Sequence, residues 1–191
     1  MPQGTGENFL VQGQMAGKPW KLEVGRPSRA YIENHELRAR ADLGINEDVA
    51  VLVLNRSLRE TLEKKAYSVY TDSVQTMAGP NLPEEMRWLT IYEEVGWDSA
   101  PHEFWDRYSV LANSRASAST WVDDALTQQL LRWPSPANSP ETPVVLMLLR
   151  GKAYLRMQYQ PGDMPTLRHA ADVFTHACEA AVAGLSTDIP I

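Results

Sequence analysis

The chain has 191 residues, 43% of them hydrophobic and 22% charged, one cysteine, and a formal net charge of −6 at neutral pH. A chain of this size can bury about 70% of its unfolded surface, so it needs no disulfide or metal to hold a core. The lone Cys178 excludes an intrachain disulfide and a cysteine-rich zinc site, and the acidic balance disfavours nucleic acid or anionic lipid as a partner for the protein as a whole.

The first residues, MPQGTGENFLVQGQ, carry neither the basic start nor the apolar run of a secretory leader. No apolar stretch approaches the roughly 20 residues that span a bilayer. These features predict a cytoplasmic protein without membrane association. Residues 1–7 and 186–191 read as flexible ends.

Phe9 and Val11 alternate with Leu10 and Gln12. A glycine-containing turn at 15–18 follows, and Trp20, Leu22 and Val24 alternate with Lys21 and Glu23. Period-two alternation around a turn predicts a β-hairpin. Residues 31–43 contain good helix formers but read equally as a third strand. Val49 to Leu54 is a continuous apolar run, strand or helix by pattern alone. Strand is favoured, because Ser57 and Glu60 form a capping box for a helix that follows it. That helix carries Leu58, Leu62, Ala66, Val69, Tyr70, Ser73 and Met77 and ends at Gly79-Pro80.

Asn81-Leu82-Pro83 opens the next helix, with Glu84 and Glu85 where the helix dipole favours negative charge. Its stripe is Met86, Leu89, Tyr92 and Val95, and Gly96 is its expected cap. A short helix from Asp98 or Ser99 presents Phe104, Trp105, Tyr108 and Leu111. Residues 113–119 read as a small polar loop before a helix carrying Trp121, Val122, Ala125, Leu126 and Leu130. Residues 134–143 hold four prolines and read as an extended internal loop. Residues 144–160 read as a second hairpin. A last helix from about Pro165 to Ala183 buries Leu167, Ala170, Ala171, Phe174, Cys178 and Ala181.

The expectation is a single α+β domain over 1–191, with an antiparallel or mixed sheet. The sheet is built from an N-terminal and a C-terminal hairpin plus an optional central strand. About five helices pack on one of its faces.

No phosphate-binding glycine loop, nucleophile elbow or H-E-x-x-H motif occurs. His169, Asp172 and His176 share a helix face and could ligate zinc, but that face reads as solvent-exposed. Cys178 lies on the apolar stripe and reads as inert. No catalytic residue, metal or cofactor is assigned, and the leaning is away from an enzyme.

Charge is unevenly spread. Residues 18–40 hold six basic and three acidic groups, whereas residues 84–106 hold seven acidic groups against Arg87 alone. The acidic segment is rich in aromatics, and Trp88, Trp97 and Trp105 with Glu93 and Glu94 are candidate partner-binding residues, tryptophan being a frequent interface anchor. The leading expectation is a non-enzymatic interaction module, an adaptor, accessory or chaperone-like protein with an unidentified protein partner, homo-oligomerisation being left open. One alternative is a small hydrolase using an acidic–aromatic cleft or a metal. Another is a nucleic-acid accessory protein using Arg26, Arg29, Arg38 and Arg40, although nucleic acid is a disfavoured partner.

Overall fold

The structure is a computed structural model and describes residues 9–185 apart from 16, 30 and 66–83. Strands that are apolar at every position need apolar cover on both faces. Two such runs, residues 50–54 and 144–149, form the middle of the sheet. β4 (Ala50–Asn55) and β7 (Val144–Leu149) are buried at every residue and pair antiparallel from Ala50↔Leu149 to Leu54↔Val145. Beyond β7 lie β8 (Lys152–Tyr159), β3 (His35–Asp42), β2 (Lys18–Gly25) and β1 (Phe9–Met15). Beyond β4 lie β6 (Tyr108–Ala112) and β5 (Glu93–Val95). The result is an eight-stranded sheet of order β1-β2-β3-β8-β7-β4-β6-β5, antiparallel at every junction. With six helices among the described residues, the protein is of mixed α and β class.

Alternation sorts side chains to the two faces. On one face, Leu22, Leu37, Leu155, Leu146 and Val53 meet helices α3 (His102–Arg107), α4 (Arg115–Trp121), α5 (Asp124–Leu131) and α6 (Met164–Gly184). Phe104, Trp121, Leu126, Leu130 and Phe174 fill the space between, each 1% exposed or less. Burying side chains of this size stabilises by about 1.5–3 kcal/mol apiece. On the other face, Leu52, Leu54 and Met147 are covered by Leu58 and Leu62 of α1 (residues 56–65) and by Trp88 of α2 (Glu84–Ile91). Helices therefore cover both faces, not one as expected. A central strand buried at every position leaves no alternative.

The structure decides one open reading and corrects several local expectations. Residues 35–42 form β3, because Leu37, Ala39 and Ala41 point into the core while Arg38 and Arg40 point out. α1 begins at residue 56, immediately after β4, and the Ser57 hydroxyl bonds to the Pro140 carbonyl rather than capping. The helix expected to reach Val95 stops at Ile91, and Glu93–Val95 joins the sheet as β5. The aromatic helix stops at Arg107, so Tyr108 and Leu111 belong to β6. Ser114 caps α4 inside the expected polar loop, accepting from the Ser117 N–H. Asp123 then starts α5 afresh by accepting from the Leu126 N–H. Ala66 to Met77, the Gly79-Pro80 stop and the Asn81–Pro83 opening lie outside the described residues.

Buried polar groups join the layers. Asn55 accepts from the Val144 N–H at 2.9 Å and donates to the Pro140 carbonyl at 3.2 Å, tying β4 to the proline-rich loop and to the start of β7. Tyr108 donates to the Leu130 carbonyl at 2.5 Å and accepts from the Trp133 indole at 3.0 Å. Burial pushes its phenol up to about 12. Among the described residues, no helix is long and apolar enough to cross a membrane.

Candidate functional site

Among the described residues β5 is one edge of the sheet, three residues long and paired to β6 on one side. The chain leaves it through Gly96 and Trp97 and returns through α3. This path brings Trp97 against Trp105, ring centroids 4.9 Å apart and nearly perpendicular, an edge-to-face arrangement favoured by aromatic quadrupoles. Phe104, fully buried, meets Trp105 in the same way at 5.0 Å. The two tryptophans are thus rooted in the core yet only partly buried. They line an open groove of about 720 Å³ with Val95, Asp98, Arg115 and the Arg56–Glu94 pair.

Arg56 fixes the floor. Its Nε donates to the Trp105 carbonyl and its Nη2 to the Tyr108 carbonyl, both at 2.9 Å. The same Nη2 reaches Glu94 at 3.3 Å. Arg59, one helical turn on, also pairs with Glu94, donates to Ser109 Oγ at 3.0 Å and bridges Glu63 at 2.8 Å. Partial burial pushes the Glu94 carboxyl up, but the hydrogen bonds and charges of Arg59 and Arg56 outweigh this and hold it below its ordinary value. Burial likewise pulls the Arg59 guanidinium down, and Glu94 with Glu63 outweighs it, leaving the group raised. Asp98 and Arg115 are exposed at the rim and form no ion pair with a described residue.

Of the residues singled out from sequence, the groove unites Glu94, Trp97 and Trp105. Glu93 is exposed on β5 but does not line the groove. Trp88 is corrected: it is 4% exposed and serves as core beneath α2. Arg56 and Arg59 carried no sequence signal, because their contacts with Glu94, Trp105, Tyr108 and Ser109 come from segments far along the chain.

The basic segment does not gather into one patch. Arg38 bonds Glu36 at 2.8 Å and Glu23 at 3.2 Å, and its other donor reaches the Arg26 carbonyl. Glu36 is fully buried and also accepts the Ser28 N–H and hydroxyl, each at 2.7 Å. Arg29 is half-buried and donates to the Ser28 carbonyl, Arg26 is exposed, and Arg40 lies beside Lys21 across β2 and β3.

No protein-family model matches the chain, and no curated protein matches it in sequence. Its fold is similar to that of the mycobacterial trehalose monomycolate transport factor A, TtfA. The match has a TM-score of 0.52 at 9% identity and covers 96% of this chain and 76% of that one. Identity this low speaks for the fold alone.

The last helix holds another correction. His169 and His176 are half-buried rather than exposed. His169 contacts the Gln129 carbonyl at 2.6 Å and packs edge-on to Trp133, while His176 meets the Asp123 carboxylate at 3.0 Å. Both therefore dock α6 onto α5. No group of three or more metal-ligating side chains is gathered among the described residues. Cys178 is buried, and burial, with Glu179 nearby, pushes its thiol up to about 12.

Proposed function

We propose that this chain is a non-enzymatic accessory protein that binds a protein partner in the groove beside β5. The observation that carries this reading is the Trp97–Trp105 pair, anchored below by Phe104 and Arg56 yet open above, next to the β5 edge of the sheet as the described residues form it. Rigid, partly buried tryptophans act as binding anchors because little side-chain freedom remains to be lost on association. An extended segment of a partner can add to a sheet edge through main-chain hydrogen bonds while its side chains enter the adjoining groove. Asp98 and Arg115 at the rim supply orientation by charge.

The hydrolase reading fits less well. A general acid must hold its proton near neutrality, and Glu94, held below its ordinary value by two arginines, has none to give. The experiment is affinity capture from native lysate, comparing the wild-type chain with Asp98→Arg and Arg115→Glu. These reverse rim charges without touching the tryptophan packing. A specific protein retained by wild type and lost by both variants is expected. Retention unchanged by either variant would remove the groove from the account.

A further inference from the structure

The opposite edge of the sheet has different chemistry. Proteins guard edge strands with charge, proline, short length or a covering element. β5 is short and carries Glu93 and Glu94. β1 has none of the first three protections: it is seven residues long, FLVQGQM, with no charge and no proline. Leu10 and Val11, on opposite faces of this edge, are 47% and 42% exposed.

The hairpin register fixes which backbone groups point outward. Met15↔Lys18 closes a two-residue connection, the narrow hydrogen-bonded pair of such a hairpin. Hydrogen-bonded pairs then recur at Gly13↔Trp20 and Val11↔Leu22. Leu10, Gln12 and Gln14 are left to direct their N–H and C=O groups away from β2. We propose that β1 is a homodimerisation edge, where two copies of this chain pair their β1 strands antiparallel about a two-fold axis through Gln12.

This register pairs the whole strand and places Leu10 opposite the second copy's Gln14, and Gln12 opposite its own counterpart. All three outward-facing positions engage, giving about six inter-chain backbone hydrogen bonds. Val11 falls opposite Gly13 of the second copy. That glycine is needed because the Trp20 indole lies across it, so closely that a Cβ would sit 2.7 Å from the ring. The second copy's Val11 therefore meets the indole that covers this glycine, apolar group against aromatic ring. Exposed Val11 and the indole-covered Gly13 lie on the same strand, two residues apart, as an isologous contact requires. No charge meets its own copy across the axis, whereas a self-paired β5 would crowd its glutamates together.

Sedimentation equilibrium of the full chain at micromolar concentration tests the proposal, with twice 21.4 kDa expected. Gln12→Pro deletes the outward N–H at the axis, a substitution that an edge strand tolerates. It should keep the circular dichroism of the wild type and sediment as monomer. A wild-type monomer would overturn the proposal, including the case where β1 serves a foreign strand. So would a dimer that persists in folded Gln12→Pro. Should Gln12→Pro fail to fold, Gln12→Cys decides: facing residues of a narrow pair lie within disulfide reach, and native Cys178 is buried. Mild oxidation should then convert the chain to a covalent dimer, and its failure to do so would overturn the proposal. Neither result depends on whether the groove beside β5 binds a partner.

Discussion

Truncating Asn55 to alanine should be among the most damaging single polar substitutions in the protein. The side chain is 1% exposed and lies at the end of β4. Its oxygen is the acceptor for the buried Val144 N–H, and its amide donates to the Pro140 carbonyl and to Ser57 Oγ at 2.9 Å. A buried group stripped of its partner costs about 1–3 kcal/mol. The Val144 N–H bears that cost in full. Pro140 keeps a bond from Ser57 at 3.3 Å and loses less. The sum is about 2–4 kcal/mol, and at about 2–4 °C per kcal/mol for a chain of this length the melting point should fall by roughly 5–15 °C. Differential scanning calorimetry measures this, and urea titration should show a lower midpoint with an unchanged slope. Asn138→Ala, at an exposed position in the same loop, should stay within about 0.5 kcal/mol of wild type. If Asn55→Ala melts with Asn138→Ala, the view that this side chain joins strand to loop is wrong.

Two further outcomes follow from the ionisable groups. Glu94 is held below its ordinary value, so its ion pairs contribute fully above the unfolded carboxylate value of about 4.3 and fade as pH falls through the folded value. Glu94→Gln should cost on the order of 1 kcal/mol at neutral pH, since a side chain about a third exposed is screened by solvent. In parallel denaturation series the gap to wild type should close in acid, and a gap independent of pH would contradict the assignment. The buried Cys178 thiol should be silent to a thiol-exchange reagent in the folded protein and react fully in guanidinium, and rapid reaction in the native state would place it at the surface instead.

The mixed α and β class could be read from residue pattern because β2 and β8 alternate cleanly, β7 is apolar throughout and β4 is apolar up to Asn55. Patterns failed where two periods overlap. Phe104, Trp105, Tyr108 and Leu111 are spaced as on a helix, yet Tyr108–Ala112 is buried on both faces and pairs with β4. Residues 35–42 contain helix formers, and only pairing with β2 and β8 decides them as strand. Two covered faces were implied by the apolar central strands, although the helices could not be distributed between them from sequence. At the groove, Trp97, Trp105 and Glu94 stood out as an aromatic–acidic cluster. Arg56 and Arg59 did not, because what makes them part of the site is contact with residues tens of positions away. Trp88 shows the converse: the same residue type in the same stretch is core.

The central claim is that the Trp97–Trp105 groove beside β5 is where a protein partner sits. Photo-crosslinking tests it most directly, with a photoreactive phenylalanine analogue at exposed Asp98, on the groove rim, and at exposed Arg132, a position that does not line it. Irradiation in native lysate should give a discrete cross-linked product from position 98, absent from position 132 and competed away by unlabelled wild-type chain. Equal products from both positions, or none from position 98 while a captured partner is present, would contradict the account.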